Sequence, residues 1–297
     1  MTTLLTGTSG FLGSFVLNQT LKSVNPLDIA VISSKPREDL PSILRKGAEL
    51  DLSKLSMKIL LKTSQLVLIG SYVPKNKTEL DFSELATESL NFLSNLLAIP
   101  LPNLKRIIYV STTDVYTREG FEISELSKTH PSNEYTSMKL SAEELIQNFS
   151  IRNGLKCQVL RFGHIYGPGN ENDTKFVPNL FRSILRDEVF QLQVGLEQQM
   201  NLLYVQDAAK VLVEAAKGNL LSGAYNVVSQ ESISVDKIIQ TVEIIAKKKL
   251  KKNQTSEKFD NALYNFAPPR ILKILNVKET KIQEGFSEMY KNLSRSE

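Results

Sequence analysis

Cysteine, histidine and long apolar runs are all scarce in this chain of 297 residues. The single cysteine, Cys157, excludes an intrachain disulfide. It lies in the apolar run CQVLRF, which reads as a buried core thiol rather than a reactive one. Two histidines and one cysteine are too few for a dedicated transition-metal site, so no metal is expected. The apolar runs fall far short of the roughly 18 residues needed to span a bilayer. The opening MTTLLTG has no charged region leading into a signal-peptide core. The expectation is a cytoplasmic protein with no membrane partner. Charge of one sign is not in excess either. The 36 basic and 32 acidic residues leave +4, and no basic patch interleaved with aromatics points to nucleic acid.

What is present is an ordinary soluble balance, 41% hydrophobic and 23% charged. The length allows a substantial core, as one large domain or two intimate ones. The first apolar run, Thr3 to Leu5, reads as a central strand. It ends in TGTSGFLG, and a helical pattern follows to Leu21. Strand, glycine turn and helix form the context of a dinucleotide site. Gly7 allows the tight turn, Gly10 lets a diphosphate approach the helix N-terminus, and Gly13 lets the helix pack on the strand. With Ser9, Phe11 and Leu12 they are the candidate contacts at the diphosphate.

The second strand, Asp28 to Ile32, leads into ISSKPRE. An acid at this strand end would pair with the ribose 2′-hydroxyl of NAD, whereas basic residues suit the 2′-phosphate of NADP. Ser33 stands in the acid's place, with Lys35 and Arg37 behind it. NADP(H) is therefore the expected cofactor, with NAD(H) possible. A third strand is expected to close at Asp51, where Asp51 and Leu52 could reach the adenine edge. A fourth, Gln65 to Ile69, ends in the small residues Gly70 and Ser71, which leave room for a cofactor. Leu80 to Ala98 has a helical apolar stripe. A fifth strand, Arg106 to Val110, delivers STTDVY. Ligands of such sheets bind outside the carboxyl ends of the strands, so this hydroxyl-rich end is a place for chemistry.

Tyr135 and Lys139, in YTSMK, share one helix face one turn apart. A free phenol has a pKa of about 10, and a neighbouring ammonium favours the phenolate. The pair can then exchange a proton near neutral pH. Further on, Lys156 to Arg161 reads as a strand, Phe176 to Leu185 and Val205 to Ala216 as helices, and Ala224 to Val228 as a late strand. The stretch KKKLKKNQTSEK reads as a helix end and loop.

TGTSGFLG, STTDVY and YTSMK in this order resemble the extended short-chain dehydrogenase/reductase family, of the NAD-dependent epimerase/dehydratase type, in its nucleotide-sugar branch. The similarity continues through LRFGHIYGPG, KFVP, LLYVQDAAK, AYNVVSQESIS and LNVKETKIQEGF, and so covers nearly the whole chain. It implies an α/β fold, a doubly wound parallel sheet with a smaller substrate lobe. The cofactor domain would take 1–165 with 203–230, and the lobe 166–202 with 231–297. The implied catalytic residues are Thr112, with Ser111 as the close runner-up, Tyr135 and Lys139. Tyr135 and Lys139 also touch the cofactor, as Phe162 would. Ser111, Thr113, Asp114, His164, Lys175 and Arg270 are the substrate-side candidates.

Three departures bear on the reaction. Thr113-Asp114 stand where the family's dehydratases carry Asp-Glu or Ser-Glu, so only one carboxylate is available for elimination. His164 replaces an Asn. The Arg that usually grips a diphosphate is replaced near Met200, which leaves Lys175 and Arg270 as substitutes. The resemblance thus implies NADP(H)-dependent reduction of a 4-keto-6-deoxy nucleotide sugar. The alternatives are a nucleotide-sugar epimerase or dehydratase with bound NAD(P), and a non-catalytic NADP sensor. A homodimer is implied by the family alone.

Overall fold

The computed structural model describes residues 2–70, 79–117, 122–169, 175–254 and 265–295. Its strands are β1 (Thr2–Thr6), β2 (Ile29–Ser33), β3 (Ser42–Lys46), β4 (Glu49–Leu50), β5 (Thr63–Leu68), β6 (Arg106–Thr112) and β7 (Lys156–Phe162). Seven short ones follow: β8 (His164–Tyr166), β9 (Phe190–Leu192), β10 (Gln199–Met200), β11 (Leu202–Tyr204), β12 (Gly223–Val227), β13 (Ile233–Ser234) and β14 (Lys252–Gln254). The helices are α1 (Phe11–Ser23), α2 (Lys54–Lys62), α3 (Glu79–Ala98), α4 (Glu134–Arg152), α5 (Phe176–Arg186), α6 (Val205–Ala216), α7 (Val235–Ala246), α8 (Arg270–Ile274) and α9 (Ile282–Leu293).

The main sheet runs β12-β7-β6-β5-β1-β2-β3-β4. Its pairs are parallel except the last, where β4 turns back on β3. Neighbouring residues of each strand serve opposite faces. Leu5, Val67, Ile108 and Leu160 join one core with α1, α6 and the C-terminal helices. Leu4, Leu66, Ile107 and Val159 join the other with Phe92 and Leu96 of α3 and Ala142 and Ile146 of α4. Because both faces are covered, these strands read as apolar runs rather than alternations. Helices α5, α7 and α9 pack on one another. Phe181 and Phe286, both fully buried, meet edge to face with ring centres 5.4 Å apart.

The sheet doubles back between β1 and β5, the switch point where ligands of this architecture bind. Two strand ends meet there: a Cβ on Gly7 would lie 2.4 Å from the Gly70 nitrogen. Gly7 also has φ +66°, which a side chain would strain. A Cβ on Gly13 would lie 2.0 Å from the Gly7 carbonyl oxygen, so α1 can lean on the turn only without one.

Two elements differ from the sequence expectation. The third strand is Ser42–Lys46, and Asp51 follows the short return strand instead of ending it. SILRK carries too few apolar residues to stand out, although Ile43 is fully buried. Lys252–Gln254, expected as loop, pairs in parallel with Phe190–Leu192. Cys157 is buried, as its apolar run suggests. No helix among the described residues is long and apolar enough to cross a membrane.

Replacing Gly13 by Ala should separate α1 from the turn, because the obstacle is backbone. The expected result is a fall in melting temperature of roughly 5 °C or more, read by calorimetry.

Candidate active site

At the carboxyl end of β1 the chain turns tightly, with the Gly10 N–H donating to the Gly7 carbonyl at 3.0 Å. Gly10 caps α1 with no side chain bonded to the first turn and no acid within it. Ser9 and Gly10 are exposed, so the positive end of the helix faces outward toward any anion.

Two strands away in the sheet, β6 ends at Thr112, whose hydroxyl accepts the Asp114 N–H at 3.2 Å and starts a single 3₁₀ turn. Helix α4 begins opposite. Asn133 and Thr136 form a reciprocal capping box, with Thr136 fully buried. Such a cap is worth about 1 kcal/mol and here fixes the turn that carries Tyr135. Tyr135 is half-buried, and the Thr112 side chain acts on its hydroxyl in the direction that favours the phenolate.

Lys139 follows one turn on and is only 2% exposed. Its Nζ donates to the Val110 carbonyl at 2.8 Å and sits 5.0 Å from the Tyr109 ring and 5.8 Å from the Tyr135 ring. Burial pulls Lys139 down to about 7, with Glu143 acting in the opposite direction. Burial raises Tyr135 well above the usual phenol value; Asp114 adds to the rise and Thr112 offsets part of it. The expected depression of Tyr135 by Lys139 is therefore outweighed. A poorly hydrated site favours the neutral form of each.

Behind the pair lies a buried polar network. Glu143 accepts from Arg161 Nε at 3.1 Å and Nη2 at 2.7 Å, and from the Ser111 hydroxyl. Arg161 Nη1 donates to the Tyr116 hydroxyl at 2.9 Å, which donates to Asn226 Oδ1 at 2.7 Å. The network ties α4 to β6, β7 and β12.

On the open side stand Asp114, His164 and Lys175. Asp114 acts electrostatically on both Tyr135 and His164. Solvent reaches His164, yet crowding by protein atoms lowers its pKa, against Asp114, which raises it, and with Lys175, which lowers it further. Lys175 is exposed at the start of α5.

A sequence profile described as the NAD dependent epimerase/dehydratase family matches residues 3–227. The chain belongs to that family. An uncharacterised UDP-glucose epimerase of Bacillus subtilis is 23% identical over 84% of this chain and 83% of its own length. A dTDP-4-dehydro-6-deoxyglucose reductase of Escherichia coli is 24% identical over 83% of this chain and 82% of its own. Among solved structures, UDP-glucuronic acid 4-epimerase from Bacillus cereus, in complex with UDP-glucuronic acid and NAD, superposes with a TM-score of 0.84 over 100% of both chains at 21% identity. That likeness is one of fold.

The family's dinucleotide fits the residues present. Gly7, Gly13 and Gly70 pack backbone against backbone, which leaves Ser9 and Gly10 exposed at the uncapped start of α1, where a diphosphate would sit. Leu12 is buried beneath it, and Phe11 packs against Phe15 at 6.0 Å.

Other expected contacts in this member of the family are placed differently. Arg37 is clamped by Asp39 through bonds of 2.9 and 2.6 Å, so its charge is already countered. Ser33 accepts the Lys35 N–H at 3.2 Å, and Lys35 is exposed. Asp51 caps a turn by accepting the Ser53 N–H at 3.0 Å, and Leu52 points outward, 53% exposed. Phe162 is a core residue, aligned with Thr112 across the strands and 4% exposed. Ser111 faces Glu143 rather than the open space, which leaves Thr112 as the hydroxyl beside Tyr135. Thr113 is buried. Arg270 is held at the sheet edge by Glu125 at 3.3 Å, by the Ala224 carbonyl at 3.1 Å and by the Tyr225 ring at 4.7 Å. Ser71 lies outside the described residues. Sequence reasoning passed over Glu143, Arg161 and Tyr109. The signal for the first two was an arginine inside the apolar run CQVLRF, since a buried charge demands a partner.

A lysine whose folded pKa lies below its unfolded value binds fewer protons in the native state between the two. Stability then rises with pH from about 7 toward the unfolded value, by at most about 1.4 kcal/mol per unit. Urea unfolding between pH 7.5 and 9.5 should show this slope in the wild type and lose it in Lys139→Met.

Proposed function

We propose that this protein is an NADP(H)-dependent reductase of a 4-keto nucleotide sugar, with Thr112, Tyr135 and Lys139 as its catalytic residues. The observation that carries the reading is Lys139, held on the Val110 carbonyl of β6 beside the Tyr135 ring, with Thr112 ending that strand and burial keeping the proton on Tyr135. A ketone reduction needs that protonated form as its acid. A bound nicotinamide would supply the hydride. Tyr135 gives its proton to the carbonyl oxygen, and Thr112 orients the same oxygen. Lys139, mounted on the Val110 carbonyl, steadies the phenolate that remains. His164, Lys175 and Asp114 are positioned to hold the sugar nucleotide. A single carboxylate at this place argues against dehydration. The cytoplasmic setting and the homodimer accompany this reading.

A second reading, a 4-epimerase that retains NAD, is favoured by the Arg37–Asp39 clamp, which leaves Lys35 alone to meet a 2′-phosphate. The two are separated by incubating the protein with NADPH or NADH and a panel of 4-keto nucleotide sugars. Stoichiometric NADPH loss is expected. Sugar interconversion without net cofactor change would show the epimerase instead, and tight cofactor binding with no turnover a sensor.

Tyr135→Phe should cut turnover by roughly 10²-fold or more with cofactor affinity nearly intact, as followed by NADPH fluorescence. Asp39→Ala should release Arg37 and tighten NADPH binding several-fold while NADH binding stays unchanged. Equal effects on the two cofactors would remove the 2′-phosphate assignment.

A further inference from the structure

Lys139 is surrounded by groups whose arrangement goes beyond its contact with Tyr135. From α4 come Tyr135 and, one turn further on, Glu143. From β6 come the Val110 carbonyl and the Tyr109 ring, and Ser111 lies next along the strand. From β7 comes Arg161, on the far side of Glu143. Asp114, on the turn after β6, acts on Tyr135. Residues four apart on a helix are neighbours, so Glu143 stands one turn from Lys139 on α4 while it is bonded to Arg161 across the sheet.

We infer that Glu143 is a positioning residue for Lys139: its buried carboxylate, locked by Arg161 and Ser111, places a fixed negative charge one turn along α4 from the ammonium that sits on the Val110 carbonyl. Glu143 is 3% exposed and Arg161 8%. An ion pair so deep is conspicuous in a structural role alone, because replacing such pairs by apolar side chains is often neutral or stabilising. The three hydrogen bonds on Glu143 fix where its charge stands. A carboxylate free to rotate would not give Lys139 a constant field. The electrostatic effect of Glu143 on Lys139 has the sign this role requires. Arg161 holds that carboxylate in place from β7.

The part Lys139 takes in turnover rests on the function proposed above. The test needs neither cofactor nor substrate, so a wrong substrate assignment leaves it standing. Stability is measured by urea unfolding from pH 5 to 9.5 in four proteins: the wild type, Lys139→Met, Glu143→Gln and the double variant. Within each background, subtracting the curve of the protein that carries Lys139→Met isolates the pH at which Lys139 begins to release its proton. In the wild type that onset is expected near 7. In the Glu143→Gln background it should move about one unit lower. Glu143→Asp keeps the charge and should bring the onset back toward the wild-type value even where it lowers overall stability. A purely structural Glu143 predicts equal destabilisation by Gln and Asp with the onset unmoved, and that result would overturn the inference. Should Glu143→Gln not fold, Glu143→Gln with Arg161→Met removes the pair as a unit. An onset below the wild-type value supports the proposal there, and an unchanged one refutes it.

Discussion

A carboxylate and a guanidinium are buried together where α4 crosses β6 and β7. Removing two charges from water costs several kcal/mol each, which geometry this complete can offset but not ignore. Burial alone works against the Arg161 cation. The hydrogen bonds and charge of Glu143 outweigh it and hold Arg161 above its ordinary pKa. The cost of leaving either partner alone therefore keeps α4 in one place on the sheet. Tyr135 and Lys139 ride on that helix, and Thr112 ends the strand beneath it. Their mutual geometry is inherited from the ion pair rather than made by the three residues themselves.

The same low polarity governs the chemistry. It pushes Tyr135 toward its protonated form and Lys139 toward its neutral one, so the pair does not behave as two solvated groups would. In water an ammonium near a phenol simply lowers the phenol's pKa. Here both charged forms are costly, and each fixed dipole or ion nearby decides more than it would outside. The Val110 carbonyl, the Tyr109 ring and the Glu143 carboxylate all favour the lysine's charge. Burial keeps the proton on Tyr135, and Asp114 adds to that effect. Acid and cation are thus set from opposite sides of the site, the acid by the turn after β6 and the cation by α4 and the sheet.

What was legible in the sequence follows from what local pattern can encode. Apolar runs and glycine spacing identified β1, β2, β5, β6, β7 and β12 and the turn at Gly7, because backbone approach at a switch point tolerates no side chain. The Tyr135–Lys139 spacing was visible because helix geometry is regular. Side-chain partners were not visible, since they depend on which groups lie across a space. Arg37 and Arg270 read as anion binders by residue type alone, and both turned out to be engaged, one by Asp39 two residues away and the other at the edge of β12. Ser111 and Thr112 looked interchangeable in STTDVY. The strand's alternation separates them, one toward Glu143 and the other toward Tyr135. Lys252–Gln254 was hidden because its three polar residues describe a solvated edge as well as a loop.

Arg270 shows how far the polar network reaches. Glu125 accepts both the Arg270 guanidinium and the backbone N–H of Asn226 at 3.1 Å, while Arg270 donates to the Ala224 carbonyl. Together they cover two backbone groups on the outer edge of β12, which would otherwise offer a pairing surface. Asn226 then accepts from Tyr116, Tyr116 from Arg161, and Glu143 from Arg161 in turn. One chain of hydrogen bonds therefore runs from the sheet edge to the helix that carries Tyr135 and Lys139. Arg270, read from the sequence as a substitute for the diphosphate-gripping arginine, is engaged at the sheet edge, where it helps to cover β12.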